Sequence, residues 1–512
     1  MTTQLVSKNT DSTQSDGLSD APAVSGDGQH IVFSSYATTL VAGSIEKSQI
    51  YLHDAATGVT TLVSKSDTDS PGNRDSILAD ISANGRFVVY QTQANNLLAD
   101  DASIDRDVLL YDALTDQTTL ISQHSDGTKG NAGSSNADIS GDGQYVVFSS
   151  SATNLVNGDL NGFGDVFLRD TVNGTTTLVS QHTDGTQANA SSFGTQISAD
   201  GRYIVYQSTA SNLVDGDTNA QMDVFLYDTQ TSTTTLVSKS SDGTQGNGVS
   251  RDAVISDDGQ FIVYESVATN LVSDDTNGAR DLFRYDINTG TTSRVVQQPD
   301  GTTFEFIAPN APSLSGDGRF VTFESDAYDA VSDAYTFQQV FVYDFQTGNT
   351  SLVSQSAGGG ENTASSNSPA ISSDGESVVY YSNISDLVAG DTNSRGDIFI
   401  TDNPLFDTSS SGGGTGGGNG GWTFGWNVGW YYGWGSGWYY GWNAGWYYGW
   451  GQGWQVSWYY GWSNTGSGWA LGWAYGWNVG WSLSWHYGWN LGWANGWHVG
   501  WHYGWNAGWY LA

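Results

Sequence analysis

Five stretches of this chain set two aspartates around a short polar residue in a recurring spacing. They are Asp101/Ser103/Asp107, Asp159/Asn161/Asp165, Asp217/Asn219/Asp223, Asp275/Asn277/Asp281 and Asp391/Asn393/Asp397. Alternate-residue oxygens followed by a later carboxylate are the ligand set that a hard cation such as calcium requires. The same residue types are favoured in turns, because Asp and Asn bond their own backbone and tolerate left-handed conformations. The bidentate Glu that completes an EF-hand loop is missing, so a calcium site and a structural turn stand as two readings of one pattern. Two related stretches lose it, one with Gly43 and Gln49, the other keeping Asp333 but carrying Gln339.

Other chemistry is sparse. Of the histidines, His30, His53, His124 and His182 precede the glycine-rich segment, and none belongs to a His-Glu-x-x-His or similar metal pattern. There is no Gly-x-Ser-x-Gly nucleophile elbow. His124 and His182 occupy equivalent places in adjacent repeats. Asp80, Asp138 and Asp252 fall on the first strands of their units, where they would make a central channel acidic. An enzyme working there is the competing functional class; solvation of a polar axis explains the same residues.

The elements that must position these groups follow from a repeat. Asp-Gly, once Asn-Gly, recurs before a β-branched and aromatic run at Asp27, Asn84, Asp142, Asp200, Asp258, Asp317 and Asp374, 57 to 59 residues apart. Asp-Gly between apolar runs marks a hairpin, since Gly takes φ > 0 in tight turns. Each unit reads as four short strands, for example Tyr145-Val146-Val147-Phe148, Asp165 to Asp170 and Thr176 to Ser180 around that turn. Repeated without helices, such units predict propeller blades. The seventh unit stops at Ile400-Thr401-Asp402 without its last strand, and Thr3-Gln4-Leu5-Val6-Ser7 supplies the missing piece. The expected fold is therefore all-β, a seven-bladed β-propeller closed by its N-terminal strand, which hides two sheet edges.

The run Ser140-Gly141-Asp142-Gly143-Gln144-Tyr145-Val146-Val147-Phe148 resembles the WD40-like, TolB-type (PD40) propeller repeat, and the likeness extends over residues 1–402. The resemblance implies a periplasmic or extracellular propeller used for binding, without naming a ligand. No TolB-like α/β domain precedes it, and no hydrolase domain follows as in propeller-bearing peptidases.

Composition bounds the partners. The chain has 512 residues with 53 acidic and 16 basic side chains, a net charge of −37, and every charge lies at or before Asp407. So acidic a surface repels nucleic acid and anionic membranes. Cysteine is absent, which removes disulfides and thiolate metal sites. Met1 to Ser7 lacks a basic start and an apolar run, so an export signal is expected elsewhere, such as the C-terminus. No apolar stretch is long enough for a membrane helix.

Residues 408–421 form a Gly/Ser linker, and 422–512 hold all 22 tryptophans, one every fourth position from Trp422 to Trp462 and again from Trp469 to Trp509. On a strand, each Trp shares a face with the mostly apolar residue two places on. A helix would pay for one Gly in every four residues, so the tail reads as β, a meander of six segments of 9 or 13 residues. So much aromatic surface exceeds what a small domain hides, and exposed aromatics mark contact surfaces. Trp430, Trp438, Trp446, Trp458, Trp485 and Trp501 represent that surface. Polysaccharide or protein contact, self-association and membrane contact are its expected uses; a packed mini-domain is the plain alternative. Together the parts predict a non-enzymatic, secreted or cell-surface binding protein, with a periplasmic TolB-like envelope partner as the other alternative.

Overall fold

The computed structural model describes residues 3–99, 103–275, 278–295, 307–329, 334–356, 364–393 and 395–406. The chain divides after Phe406, so the Gly/Ser linker, the tail and its six named tryptophans lie outside the described residues. The described part is a seven-bladed β-propeller of 28 strands in seven four-stranded antiparallel sheets. Blades 1 to 6 occupy residues 19–62, 76–120, 134–178, 192–236, 250–294 and 307–352. Blade 7 combines Ser366–Ile371, Ser377–Ser382 and Asp397–Asp402 with the N-terminal strand Thr3–Leu5. Thr3 pairs with Thr401 and Leu5 with Phe399, so the ring closes as the truncated last repeat predicts.

Side-chain alternation explains the continuous apolar runs. Val146 and Phe148 face blade 2, packing with Val89, Val108 and Leu110. Val147 faces blade 4, against Ile197, Ile204 and Tyr206. A strand covered on both faces must be apolar at every position, whereas a half-covered one alternates. Aromatic pairs fill the sheet centres: Phe148 stacks on Phe167 at 5.9 Å and Tyr206 on Phe225 at 5.8 Å.

The Asp-Gly turn does two jobs. In blade 3, Ser140 Oγ donates to Asp142 Oδ1 (2.9 Å), which also accepts from Gln144 N–H, while Gly143 takes φ +81°. That glycine also receives the ring of the preceding blade. A Cβ on Gly143 would stand 2.1 Å from Phe87 Cδ2, and one on Gly201 2.3 Å from Tyr145 Cδ2. His30, Tyr203, Phe261 and Phe320 cover Gly85, Gly259, Gly318 and Gly375 in the same way. At the closing joint the partner of Gly28 is the smaller Ser377.

Every first strand carries a bulge. One residue inside it is left-handed in all seven blades: Ala21, Leu78, Asn136, Gly194, Asp252, Ala311 and Ser368, with φ between 46° and 64°. The pairing register shifts across it, for example between Ser135 and Asp138. A bulge re-aims the side chains on either side, and this decides which residues reach the axis.

Candidate functional site

The loop ends of five blades hold the acidic pattern. Asp165 opens the third strand of blade 3 and is fully buried. Its Oδ1 accepts Ser180 Oγ at 2.6 Å and its Oδ2 accepts Asn161 Nδ2 at 2.8 Å. The Asn161 amide also donates to Ala188 O at 3.1 Å. The carboxylate thus ties the loop before the third strand to the connector leaving the fourth. Blade 4 repeats this with Asp223, Ser238 (2.6 Å), Asn219 (2.9 Å) and Gly246 O (2.9 Å). Blade 7 repeats it with Asp397, Ser7 (2.5 Å), Asn393 (2.9 Å) and Ser15 O (2.9 Å).

Blades 1 and 6 reach the same connection with one residue. Gln49 Oε1 accepts Ser64 Oγ at 2.8 Å while Gln49 Nε2 donates to Gly72 O at 3.0 Å. Gln339 does the same with Ser354 Oγ (2.7 Å) and Ala364 O (2.9 Å). One glutamine amide supplies the acceptor of the aspartate and the donor of the asparagine. The two stretches that lose the acidic pattern in sequence keep its hydrogen bonds.

In blades 2, 4, 5 and 7 a further side chain, mostly from the connector, stands against the acids as a donor. Gln245 Nε2 donates to Asp217 Oδ1 (2.7 Å) and Asp223 Oδ2 (3.0 Å). Gln14 Nε2 donates to Asp391 Oδ1 (2.8 Å) and Asp397 Oδ2 (2.9 Å). In blade 2 Lys129 Nζ lies 2.7 Å from Asp107, and in blade 5 Arg294, on the fourth strand, lies 3.8 Å from both Asp281 and Asp274. Asp275 is buried; Asp101 and Asn277 lie outside the described residues. Burial pushes the carboxyls of Asp165 and Asp223 up to about 6 and raises Asp159 and Asp397. Among the described residues, no three His, Asp or Glu side chains converge as a metal cage.

At the axis, all seven first strands line a cavity of about 130 Å³ that contains Asp80, Asp138 and Asp257. Burial, then the neighbouring Asp80, holds the Asp138 carboxyl well above the usual carboxylate range. Asp138 Oδ2 accepts the Ile197 N–H of the next blade at 2.6 Å. Burial also raises Asp257, against the opposing hydrogen bond from Ser373. At the turn end, neighbouring blades join through Gly141 N–H to Ala199 O (3.0 Å), Gly316 N–H to Ser373 O (2.8 Å) and Asp374 N–H to Gly26 O (3.1 Å). Added Cβ atoms on Gly26, Gly141 and Gly316 would meet their neighbours at 2.9 to 3.0 Å, so the backbones here are in close contact.

Asp252 is not among the residues lining that cavity. It is the left-handed bulge residue, its N–H donating to Gln207 Oε1 at 2.8 Å. There it joins Arg251, hydrogen-bonded to Glu265, and Arg280, 3.4 Å from Glu265 Oε2. Burial and the adjacent Asp252 push the Glu265 carboxyl up to about 7. Asp257 and Glu265 are the titratable residues that sequence reading missed. Asp257 was traceable, because its equivalents are Gly26, Ala83, Gly141, Ala199, Gly316 and Ser373, all small. The histidines play local parts: His53 donates or accepts at Thr60 Oγ1 (2.9 Å) and is lowered to about 4 by burial. His124 and His182 lie 2.9 Å and 3.0 Å from Asp126 and Asp184.

No family model matches the sequence, and no curated protein matches it. Solved structures do. A putative TolB from Agrobacterium tumefaciens is 16% identical over 55% of this chain and 82% of its own, with a TM-score of 0.34. TolB from Acinetobacter baumannii is 13% identical over 70% and 76%, with a TM-score of 0.36. A structure from a study of two prolyl endopeptidases is 11% identical over 76% of this chain and 50% of that one, with a TM-score of 0.47. What the chain shares with the TolB structures, at identities this low, is the β-propeller fold.

Proposed function

We propose that this chain is a non-enzymatic binding protein of the cell surface or extracellular space. The propeller is the rigid scaffold, its loop end presents the ligand contacts, and the Trp/Gly tail beyond the 408–421 linker attaches or assembles it. The observation that carries this reading is the difference between the two places where acids gather. The axial carboxylates sit in a cavity of about 130 Å³, small beside the roughly 300–1,000 Å³ of ordinary ligand pockets. The buried loop-end acids Asp165, Asp223 and Asp397 make hydrogen bonds that fix loops, as a binding scaffold needs. Leu160 and Phe163, 87% and 42% exposed, add apolar contact area on the blade 3 loop.

Sedimentation of the full chain and of a chain ending at Asp407, alone and with insoluble polysaccharide or liposomes, tests it. Selective pelleting of the full chain supports tail attachment, and the condition that pellets it separates glycan, membrane and self-association. Solubility of both throughout removes the attachment role. The enzymatic alternative has one observation in its favour, the Asp138 carboxyl raised by burial and the neighbouring Asp80, the direction in which a general acid is tuned. Unchanged hydrolysis of a glycoside and ester panel by Asp138→Asn would dismiss it.

A further inference from the structure

We propose that the blade 3 loop binds one calcium ion between Asp159 and Asp165, and that it differs in this from the acid pairs of blades 2, 4, 5 and 7. In each of those four, a donor of this chain stands against the acids: Lys129, Gln245, Arg294 or Gln14. Blade 3 has a glutamine in the matching place, but Gln187 spends its amide on backbone. Its Oε1 accepts Leu160 N–H at 3.2 Å and its Nε2 donates to Gly158 O at 3.1 Å.

Asp159 is only 6% exposed, and its Oδ1 is buried without a hydrogen-bond partner. Its carboxylate does accept the Asn161 backbone N–H, which fixes its direction. A buried carboxylate oxygen with no partner is costly, and a cation at the place of the bridging donor would satisfy it. Oxygen-only ligands suit calcium rather than zinc, which draws on His and Cys. With two protein carboxylates and water completing the shell, affinity belongs in the roughly 10⁻⁴–10⁻³ M range of extracellular modules. Asp275 of blade 5 also has a buried Oδ1 without a hydrogen bond, but there Arg294 already stands 3.8 Å from Asp281.

Equilibrium dialysis of the full chain against radiolabelled calcium decides the matter. It is run near physiological salt, where the Debye length of about 8 Å suppresses diffuse binding to the acidic surface. One saturable site is expected. Asp159→Asn should weaken it at least about tenfold, the loss of one of two charged ligands, and Asp217→Asn should leave it unchanged. Gln187→Lys removes no ligand and places an ammonium where blade 2 has Lys129; it should abolish binding while the circular dichroism stays that of the parent. It therefore decides the question even if Asp159→Asn fails to fold. Absence of a saturable site, equal losses in Asp159→Asn and Asp217→Asn, or parental binding by Gln187→Lys would each overturn the proposal.

Discussion

The two ends of a blade are built by different rules. At the turn end, Asp-Gly or Asn-Gly stands in all seven repeats, and six of the seven glycines lie under a ring from the preceding blade. At the loop end, the same connection is made by Asp with Asn in blades 3, 4 and 7, and by a single Gln in blades 1 and 6. Sterics allow one solution where a Cβ has no room; hydrogen bonding allows several, because it asks only for a donor and an acceptor in the right places. The variable end is therefore where the blades are free to differ in side chain.

The sharpest break in that comparison is at the turn end. Gly143→Ala puts a Cβ 2.1 Å from Phe87 at φ +81°, so overpacking adds to left-handed strain and the expected loss is about 3–5 kcal/mol. Gly158→Ala, at φ +86° with open space around it, should cost only the strain, about 1–2 kcal/mol. Urea unfolding of the two variants measures the difference.

At the loop end, Asp223→Ala strands Ser238 Oγ and the amides of Asn219 and Gln245. Leaving buried donors unsatisfied should cost about 3 kcal/mol. Thermal unfolding compared with Asp142→Ala, whose partners lie within one turn, would show whether the loop connection matters more than a local one.

Charge gives a smaller, pH-dependent effect. Asp165 and Asp223 have folded-state values of about 6, above the roughly 3.9 of an unfolded Asp. The folded state holds these protons more tightly, so their contribution is full below about pH 3.9 and is lost as pH rises through about 6. The double variant Asp165→Gln/Asp223→Gln should therefore show a shallower fall in urea midpoint between about pH 4 and pH 6.5 than the parent. An unchanged slope would remove these groups from the account.

Much of the fold was legible because it is periodic. Asp-Gly spacing, alternation and the missing last strand were enough for blade number and closure. The loop sites were only half legible: Asp159, Asn161 and Asp165 are close in sequence, but the donors that complete such sites are not, Gln245 lying 28 and 22 residues after Asp217 and Asp223 and Gln14 at the other end of the propeller sequence from Asp397. Composition alone did not show that Gln49 and Gln339 stand in for the Asp and Asn pair. Asp252 was placed with Asp80 and Asp138 because all three lie on first strands, and the left-handed residue in each first strand decides which of its positions reach the axis. A non-glycine residue in this conformation leaves little trace in sequence.

The central claim is that the loop-end aspartate acts as a hydrogen-bond hub that a glutamine can replace. Urea denaturation of Asp223→Gln beside Asp223→Ala tests it most directly. The account predicts that Asp223→Gln stays within about 1 kcal/mol of the parent, because its amide oxygen can still accept from Ser238 Oγ and its amide nitrogen can donate to Gly246 O, as Gln49 does with Ser64 and Gly72 O in blade 1. If Asp223→Gln is as damaging as Asp223→Ala, the aspartate is needed for its charge, and the equivalence of the blades fails.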